Sequence, residues 1–295
     1  MTKTKVNIFI PCFIDQLFPQ TGFNMVKVLE EVGCEVHYNP NQTCCGQPAY
    51  NAGYFDEARE VAHKFLNDFS SSSPPEKEKR GIGETERRKM EQFTDSPIHP
   101  FTDSVRNSGR VGLGRAGGPG AGEGAGYIVS PSASCVGMIR NGYDLLIENL
   151  SALNQCRNIQ KNIFEFSEFL VDVLKIDSIK GATLNGIATY HDSCSALREC
   201  GIKEAPRKLL KNVKGLKLVE MKDNETCCGF GGTFSVKFEP ISVAMAQQKV
   251  DNALAVNADY IISTDSSCLL HIDGYIKKNN IKIKTMHIAD VLASR

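Results

Sequence analysis

Thr43-Cys44-Cys45-Gly46 decides how this chain is read, because the same four residues return as Thr226-Cys227-Cys228-Gly229. Adjacent cysteines followed by glycine are rare by chance, and two copies in one chain are rarer. Working outward, each copy sits in the same frame. Upstream, an apolar run ends in a cysteine: Val6-Asn7-Ile8-Phe9-Ile10-Pro11-Cys12 in the first half, Gly186-Ile187-Ala188-Thr189-Tyr190-His191-Asp192-Ser193-Cys194 in the second. The gap from that cysteine to the pair is 31 residues in one half and 32 in the other. Downstream, Tyr127-Ile128-Val129-Ser130-Pro131-Ser132-Ala133-Ser134-Cys135 answers Tyr260-Ile261-Ile262-Ser263-Thr264-Asp265-Ser266-Ser267-Cys268. Self-similarity of this kind marks a duplication. Each half owns four matched cysteines.

The elements between these landmarks follow one grammar. Val6–Ile10 reads as a buried strand, and Thr21–Val32 has helical spacing ending at Gly33, where a helix terminates readily. Cys34–Tyr38 is a second strand, and Phe55–Phe69 an amphipathic helix with Asp56 and Glu57 in its first turn. Tyr127–Val129 is a third strand, Val136–Leu150 a returning helix, and Asn162–Leu174 the last element of the half. A linker over 176–185 leads to the second half. There the order repeats as strand 186–190, helix 205–212, strand 216–221, helix 239–256, strand 259–263 and helix 268–279, closed by Ile283–Leu292. Strands alternating with helices predict an α/β fold of two pseudo-symmetric repeats. Each is a small parallel sheet flanked by helices, with its cysteine loops at the strand carboxyl ends. The first repeat is expected over 1–175 and the second over 176–295.

Residues 70–126 break the pattern. The pair-to-next-cysteine gap is 89 residues in the first half and 39 in the second, a surplus of 50. This stretch holds a serine run, Pro74-Pro75 and a glycine-rich tail, with no apolar period and no cysteine. It reads as a disordered or loosely held insertion, with a docking or regulatory loop as the alternative. Its glycines do not follow a strand, so a phosphate-binding reading fails.

Composition removes several function classes. Thirty-four Lys and Arg balance thirty-four Asp and Glu. No basic field therefore points to nucleic acid or an anionic membrane. The apolar run at Val6–Phe13 contains Pro11 and is too short to span a bilayer. Eleven cysteines in 295 residues are too dilute for a disulfide scaffold. With no route to an oxidising compartment in view, a cytoplasmic location is expected, and clustered thiols read as metal ligands or redox groups.

In an open parallel sheet the loops at the strand carboxyl ends build the site. Three such loops per half supply one, two and one thiolates. Four sulfurs suit zinc or an iron–sulfur cluster. Structural zinc usually uses short two-cysteine knuckles, which neither half has. A vicinal pair fits one tetrahedral metal poorly but can reach different irons of a larger core. Gly46 and Gly229 suit a tight loop approaching such a core, with N–H groups free to donate to sulfur. Cys34, Cys156 and Cys200 have no mate and read as small buried hydrophobes. His191 and His271 flank the second-half loops. A satisfied structural histidine is the ordinary reading of each, an outer-sphere or proton-linked role the alternative. Asp192 and Asp265 are outer-shell candidates, and Asp265 lies near enough to Cys268 to be weighed as a ligand.

The doubled Cys-Cys-Gly frame resembles the CCG, or cysteine-rich domain, family over nearly the whole chain outside the insertion. That family includes the cysteine-rich subunit of heterodisulfide reductase, the glycolate oxidase iron–sulfur subunit and the lactate-utilisation proteins. The lactate-utilisation branch is nearest, on Phe9-Ile10-Pro11-Cys12, Gln42–Ala49, Pro131–Arg140 and His191-Asp192-Ser193-Cys194. The family motif ends in C-x2-C, whereas here the first of those positions is Ser132 in one half and Asp265 in the other. The resemblance implies one [4Fe–4S] cluster per repeat, held by Cys12, Cys44, Cys45 and Cys135 and by Cys194, Cys227, Cys228 and Cys268. It implies an electron-transfer subunit of a complex oxidising L-lactate to pyruvate, with no catalytic residue of its own. It also implies a ferredoxin-type iron–sulfur subunit and a third subunit as partners. The rival readings are a thiol-disulfide reductase of the heterodisulfide type, disfavoured by the missing fifth cysteines, and a structural zinc or scaffold module.

Overall fold

The computed structural model describes residues 3–70 and 126–295, which form two four-stranded parallel sheets with helices against them. The first sheet contains β1 (Thr4–Ile8), β2 (Cys34–Tyr38), β3 (Tyr127–Ser130) and β4 (Ile163–Glu165), in the order β2-β1-β3-β4. The second contains β5 (Thr183–Tyr190), β6 (Lys214–Leu218), β7 (Tyr260–Ser263) and β8 (Lys284–His287), in the order β6-β5-β7-β8. The expected α/β class, with two matching parallel-sheet repeats, is what is found. Even the register is shared. Val6 lies opposite Tyr127 in one sheet and Ala188 opposite Tyr260 in the other. Phe9 and His191 therefore occupy the same place, each donating its backbone N–H across the central pair, to Val129 O at 2.9 Å and Ile262 O at 2.8 Å.

Successive strand residues face opposite sides of a sheet, and the two sides do different work here. Val6 and Ile8 of β1, Val129 of β3 and Ile262 of β7 point into one core shared by both repeats. Helices Pro19–Glu31 and Ile288–Ala293 pack on each other and close that core, to which Met25, Leu29, Val291 and Leu292 belong. The other faces bury separately, Phe9 and Ile128 in the first repeat and Ile261 in the second. Polar bonds tie the seam: Thr21 Oγ1 and Asn24 Nδ2 both donate to the Asp290 carboxylate, at 3.0 and 2.9 Å.

Several expected elements are redrawn. Val136–Leu150 is not one helix. Ala133–Gly137 is helical, Met138–Gly142 widens into a π turn, and a separate helix runs over Leu150–Asn162. The reason is a cap and a crowded contact. The Asn149 side chain accepts from Ala152 N–H at 2.7 Å and starts the later helix. Gly137 packs so closely on Glu199 that a Cβ would collide with its side chain. Short helices over Cys12–Leu17, Gln47–Ala52 and Thr233–Lys237 add to the predicted set. β1 starts at Thr4 and ends at Ile8, two residues earlier than expected at each end, and β6 ends at Leu218 rather than at 221. The expected insertion over 70–126 falls, from residue 71 to 125, outside the described residues. Among the described residues no helix is long and apolar enough to cross a membrane.

The carboxyl ends of β4 and β8 show how the duplication has diverged. Ser130 pairs with Glu165 and Ser263 with His287, so these two are counterparts, and each caps the helix that follows it. Glu165 is wholly buried and accepts from the N–H groups of Ser167 and Glu168 at 2.8 and 3.2 Å. Burial pushes its carboxyl up to about 8, the Ser167 hydroxyl and the Glu168 N–H opposing. Between the ordinary value of 4.5 and this raised one, only the folded state holds the proton, so stability falls as pH rises through that window. Glu165→Gln cannot ionise. Its melting temperature relative to the parent chain should climb steadily from about pH 5 to about pH 8, as scanning calorimetry reads it. A difference that stays flat across that range would refute a protonated Glu165.

Candidate functional site

Both sheets place their cysteines at one edge, for a topological reason. From the central strand β1 the chain goes to β2 on one side and then to β3 on the other. The loops after β1 and β3 therefore flank a switch point, where open parallel sheets form their crevice. Cys12 follows β1 and Cys135 follows β3, while Cys44 and Cys45 come from the loop after β2. The second repeat places Cys194, Cys268, Cys227 and Cys228 in the same way.

The eight matched cysteines gather as two quartets. In the first, Cys12 Sγ lies 3.5 Å from Cys44 Sγ, and Cys45 Sγ donates to Cys135 Sγ at 3.3 Å. In the second, Cys194 pairs with Cys227, and Cys228 with both Cys227 and Cys268. Within each quartet two sulfurs are buried and two half-buried. All eleven cysteines are free thiols. The Cys12 thiol, then the Cys45 thiol and the Gly46 N–H, hold Cys44 down to about 3. Cys194, Cys228 and Gly229 hold Cys227 down to about 2 in the same manner. Cys12, Cys45, Cys194 and Cys228 are pushed up, chiefly by their hydrogen bonds to neighbouring sulfurs. Cys44 and Cys227 are thus the thiols in each quartet most readily ionised, and the thiolate is the form that binds metal.

Glycine makes the vicinal pair possible. Gly46 (φ 80°) and Gly229 (φ 93°) take the left-handed conformation and donate N–H to Cys44 Sγ and Cys227 Sγ, each at 3.4 Å. Each loop then rests on the first turns of the next long helix. A Cβ on Gly46 would sit 3.4 Å from Ala58 O, whereas one on Gly229 would sit 2.7 Å from Ser242 O. Ser242 Oγ in turn donates to Gly229 O at 2.8 Å and meets His271 Nε2 at 3.0 Å. His271 is the satisfied histidine expected.

The positions where the family motif has a further cysteine are helix caps. Ser132 Oγ accepts from Cys135 N–H at 3.4 Å. Asp265 accepts from Ser267 N–H with one oxygen and, across the seam, from Ser134 N–H with the other, at 3.3 and 3.0 Å. Both Asp265 oxygens are engaged, so its consideration as a ligand gains no support. Asp192 is held by the Arg207 guanidinium through two bonds, at 2.9 and 2.7 Å. Cys34 and Cys156 pack as buried thiols, and Cys200 rests near Ala133 O at 3.5 Å.

His191 behaves differently. It is fully buried beside the Asn224 carbonyl, neither ring nitrogen makes a hydrogen bond of normal geometry, and a ring nitrogen lies within 4.8 Å of the Cys228 and Cys268 sulfurs. Burial, then the nearby Lys249 charge, pushes it down to about 3, so the ring is neutral. Sequence reading gives Lys249 no role, yet it belongs to the site. It is buried, and its ammonium donates to Asp223 O at 2.5 Å and Thr226 Oγ1 at 2.9 Å, holding the chain just before Cys227. A lysine at helical spacing from Ser242, Ala246 and Ala253, on the buried stripe of Glu239–Ala255, is the signal that could have found it.

The chain matches known proteins along its whole length. A family model for the cysteine-rich domain (CCG) covers residues 6–75 and 188–273. "Lactate utilization protein A" of Geobacillus sp. (strain WCH70) is 38% identical over 291 residues, 99% of this chain and 100% of that protein. The protein of the same name from Bacillus cereus (strain G9842) is 36% identical, covering 99% of each chain. Among solved structures, a hypothetical protein from Helicobacter pylori superposes with a TM-score of 0.56 at 9% identity. That match covers 99% of this chain and 49% of the other, and it speaks to the fold alone.

The unequal room beside the two glycines gives a direct test. Gly46→Ala meets ordinary contacts and should lose only the left-handed preference, about 1–2 kcal/mol. Gly229→Ala adds a backbone collision and should lower the melting temperature further and disturb the second quartet selectively. Melting curves with cysteine-reactivity mapping of both variants check this. Equal damage from the two would refute it.

Proposed function

The chain belongs to the cysteine-rich domain family, and from that premise we propose that it is the iron–sulfur electron-transfer subunit of a complex that oxidises L-lactate to pyruvate. The observation that carries the reading is the pair of four-thiol sites on touching loops, in a chain aligned end to end with proteins named for lactate utilization. Cys12, Cys44, Cys45 and Cys135 would hold one [4Fe–4S] group, and Cys194, Cys227, Cys228 and Cys268 the other. The residues present fit such a group. Four sulfurs converge per site, two glycine N–H donors point at sulfur, and the buried nitrogens of His191 make no hydrogen bond of normal geometry within the protein. When bound, each group supplies reversible uptake and release of single electrons.

The chain's own residues do the remaining work. Cys45, Cys135, Cys228 and Cys268 form a buried wall, while Cys12, Cys44, Cys194 and Cys227 face the accessible edge. Phe13, next to Cys12, packs edge-on against Phe230 of the second cysteine-pair loop, ring centres 5.9 Å apart. The bond from Ser134 N–H to Asp265 joins the loops of Cys135 and Cys268. The two sites therefore share one rigid border, which suits passage of electrons between them.

Oxidising lactate to pyruvate releases two electrons and two protons. Lactate binding and proton removal belong to a partner in this reading, and electrons leave one at a time. The partners are a ferredoxin-type iron–sulfur subunit and a third subunit. The heterodisulfide-type reductase reading lacks its fifth thiol in both repeats, where Ser132 and Asp265 serve as helix caps.

Anaerobic purification with iron and acid-labile sulfide counted per chain tests the proposal. About eight irons are expected for two four-iron groups. The doubly substituted Cys44→Ser, Cys45→Ser chain should keep about four, all in the second repeat. Zinc in place of iron, or no metal, would overturn the reading.

A further inference from the structure

The two quartets match sulfur for sulfur, yet the walls behind them do not. In the first repeat Phe9 packs edge-on against Phe65, ring centres 4.9 Å apart, and Phe65 against Tyr143 at 5.7 Å. Strand register makes His191 the counterpart of Phe9. The Gly46–Ala58 and Gly229–Ser242 contacts align the two long helices, which makes Lys249 the counterpart of Phe65. An aromatic pair in one repeat is thus a histidine and a lysine in the other. Both replacements are buried, at 0% and 1% exposure.

Burying an imidazole in a core position with both nitrogens unpaired is costly unless something at the site accepts from it. Among the described residues the Asn224 carbonyl lies beside the ring, but neither ring nitrogen makes a hydrogen bond of normal geometry with any protein atom. On its other side a ring nitrogen lies within 4.8 Å of the sulfurs of Cys228 and Cys268, which puts the sulfur centre within its reach. His191 is not required as a ligand, because the first repeat completes an equivalent quartet with Phe9 in its place.

The charges around the second quartet largely offset one another. Lys249 stands where the first repeat has Phe65, and Asp265 where it has Ser132. Asp192 is neutralised by Arg207, which also bonds Glu220. Phe230 N–H adds one donor to Cys228 Sγ at 3.5 Å. What remains as the main difference is the imidazole N–H. Hydrogen bonds to cluster sulfur stabilise the reduced state and raise the reduction potential.

Resting on the reading of both quartets as iron–sulfur sites, we infer that His191 is an outer-sphere donor to the second centre and makes the second repeat the electron-accepting end of the chain. In each transfer one electron leaves the first-repeat centre, which is oxidised by one, and enters the second-repeat centre, which is reduced by one. No bond forms or breaks. His191 is a positioning residue that sets the direction of this exchange, and Lys249 fixes the loop it faces.

Anaerobic potentiometry followed by EPR, on the complete chain with iron counted alongside, tests this. The parent chain should show two separate waves. The Cys44→Ser, Cys45→Ser chain should retain the higher one. His191→Phe, which copies the first repeat, should lower that wave by at least a tenfold change in the exchange equilibrium, about 59 mV for one electron, and leave the other in place. His191→Gln, which keeps an N–H, should recover part of the shift. On the parent chain labelled with 15N-histidine, pulsed EPR should show weak coupling to one ring in the reduced second centre, which keeps a readout if His191→Phe fails to load. Coincident waves, a higher wave in the first repeat, a smaller shift or an equal shift of both waves would overturn the inference. So would strong coupling, which means direct ligation, or none. With about eight irons present, any of these sinks this inference alone. Absence of iron sinks the reading beneath it as well.

Discussion

Everything in this molecule depends on bringing four thiols to one point without a disulfide forming between them. Two adjacent cysteines turn their side chains apart unless the backbone folds sharply after them. Gly46 and Gly229 supply that fold with positive φ, and their N–H groups return to the first sulfur of each pair, two residues back. The helix beneath each loop supplies the counterforce, touching the glycine where a side chain would stand. The central strands then deliver the other two thiols from either side of the switch point. The sheets are scaffolds for this convergence, and their shared core locks one scaffold to the other.

Duplication explains the symmetry, and burial explains where symmetry was kept. Positions that face the shared core remain apolar in both repeats, as Val6 and Ala188 or Val129 and Ile262 show. Positions behind the sulfurs have drifted furthest. An aromatic wall and a polar wall stand on the same backbone frame. Caps drifted as well. Ser132 and Asp265 begin equivalent helices with different oxygens, and only the charged one reaches across to bind Ser134. A carboxylate and an imidazole, Glu165 and His287, do the same work at the ends of β4 and β8. Local geometry was conserved while electrostatics changed.

The sequence by itself determined the duplication, the strand-and-helix order and the eight cysteines that gather into two quartets. These rest on short-range facts: apolar runs, a repeated Thr-Cys-Cys-Gly and fixed spacings. Where local pattern misled, the cause is nameable. The interval from Val136 to Leu150 is apolar enough for one helix, but the Asn149 cap and the crowding of Gly137 on Glu199 divide it. Three residues before the matched cysteines, Phe9 and His191 already correspond in the sequence, but the tertiary structure alone decided that Lys249 stands where Phe65 stands, because helix contact sets that equivalence. It alone showed that Asp265 is spent on Ser134 and Ser267, and that the buried His191 ring makes no regular hydrogen bond within the protein. Partners more than a hundred residues apart in the chain, or missing altogether, leave no periodic trace in a sequence, since only folding brings the two repeats edge to edge.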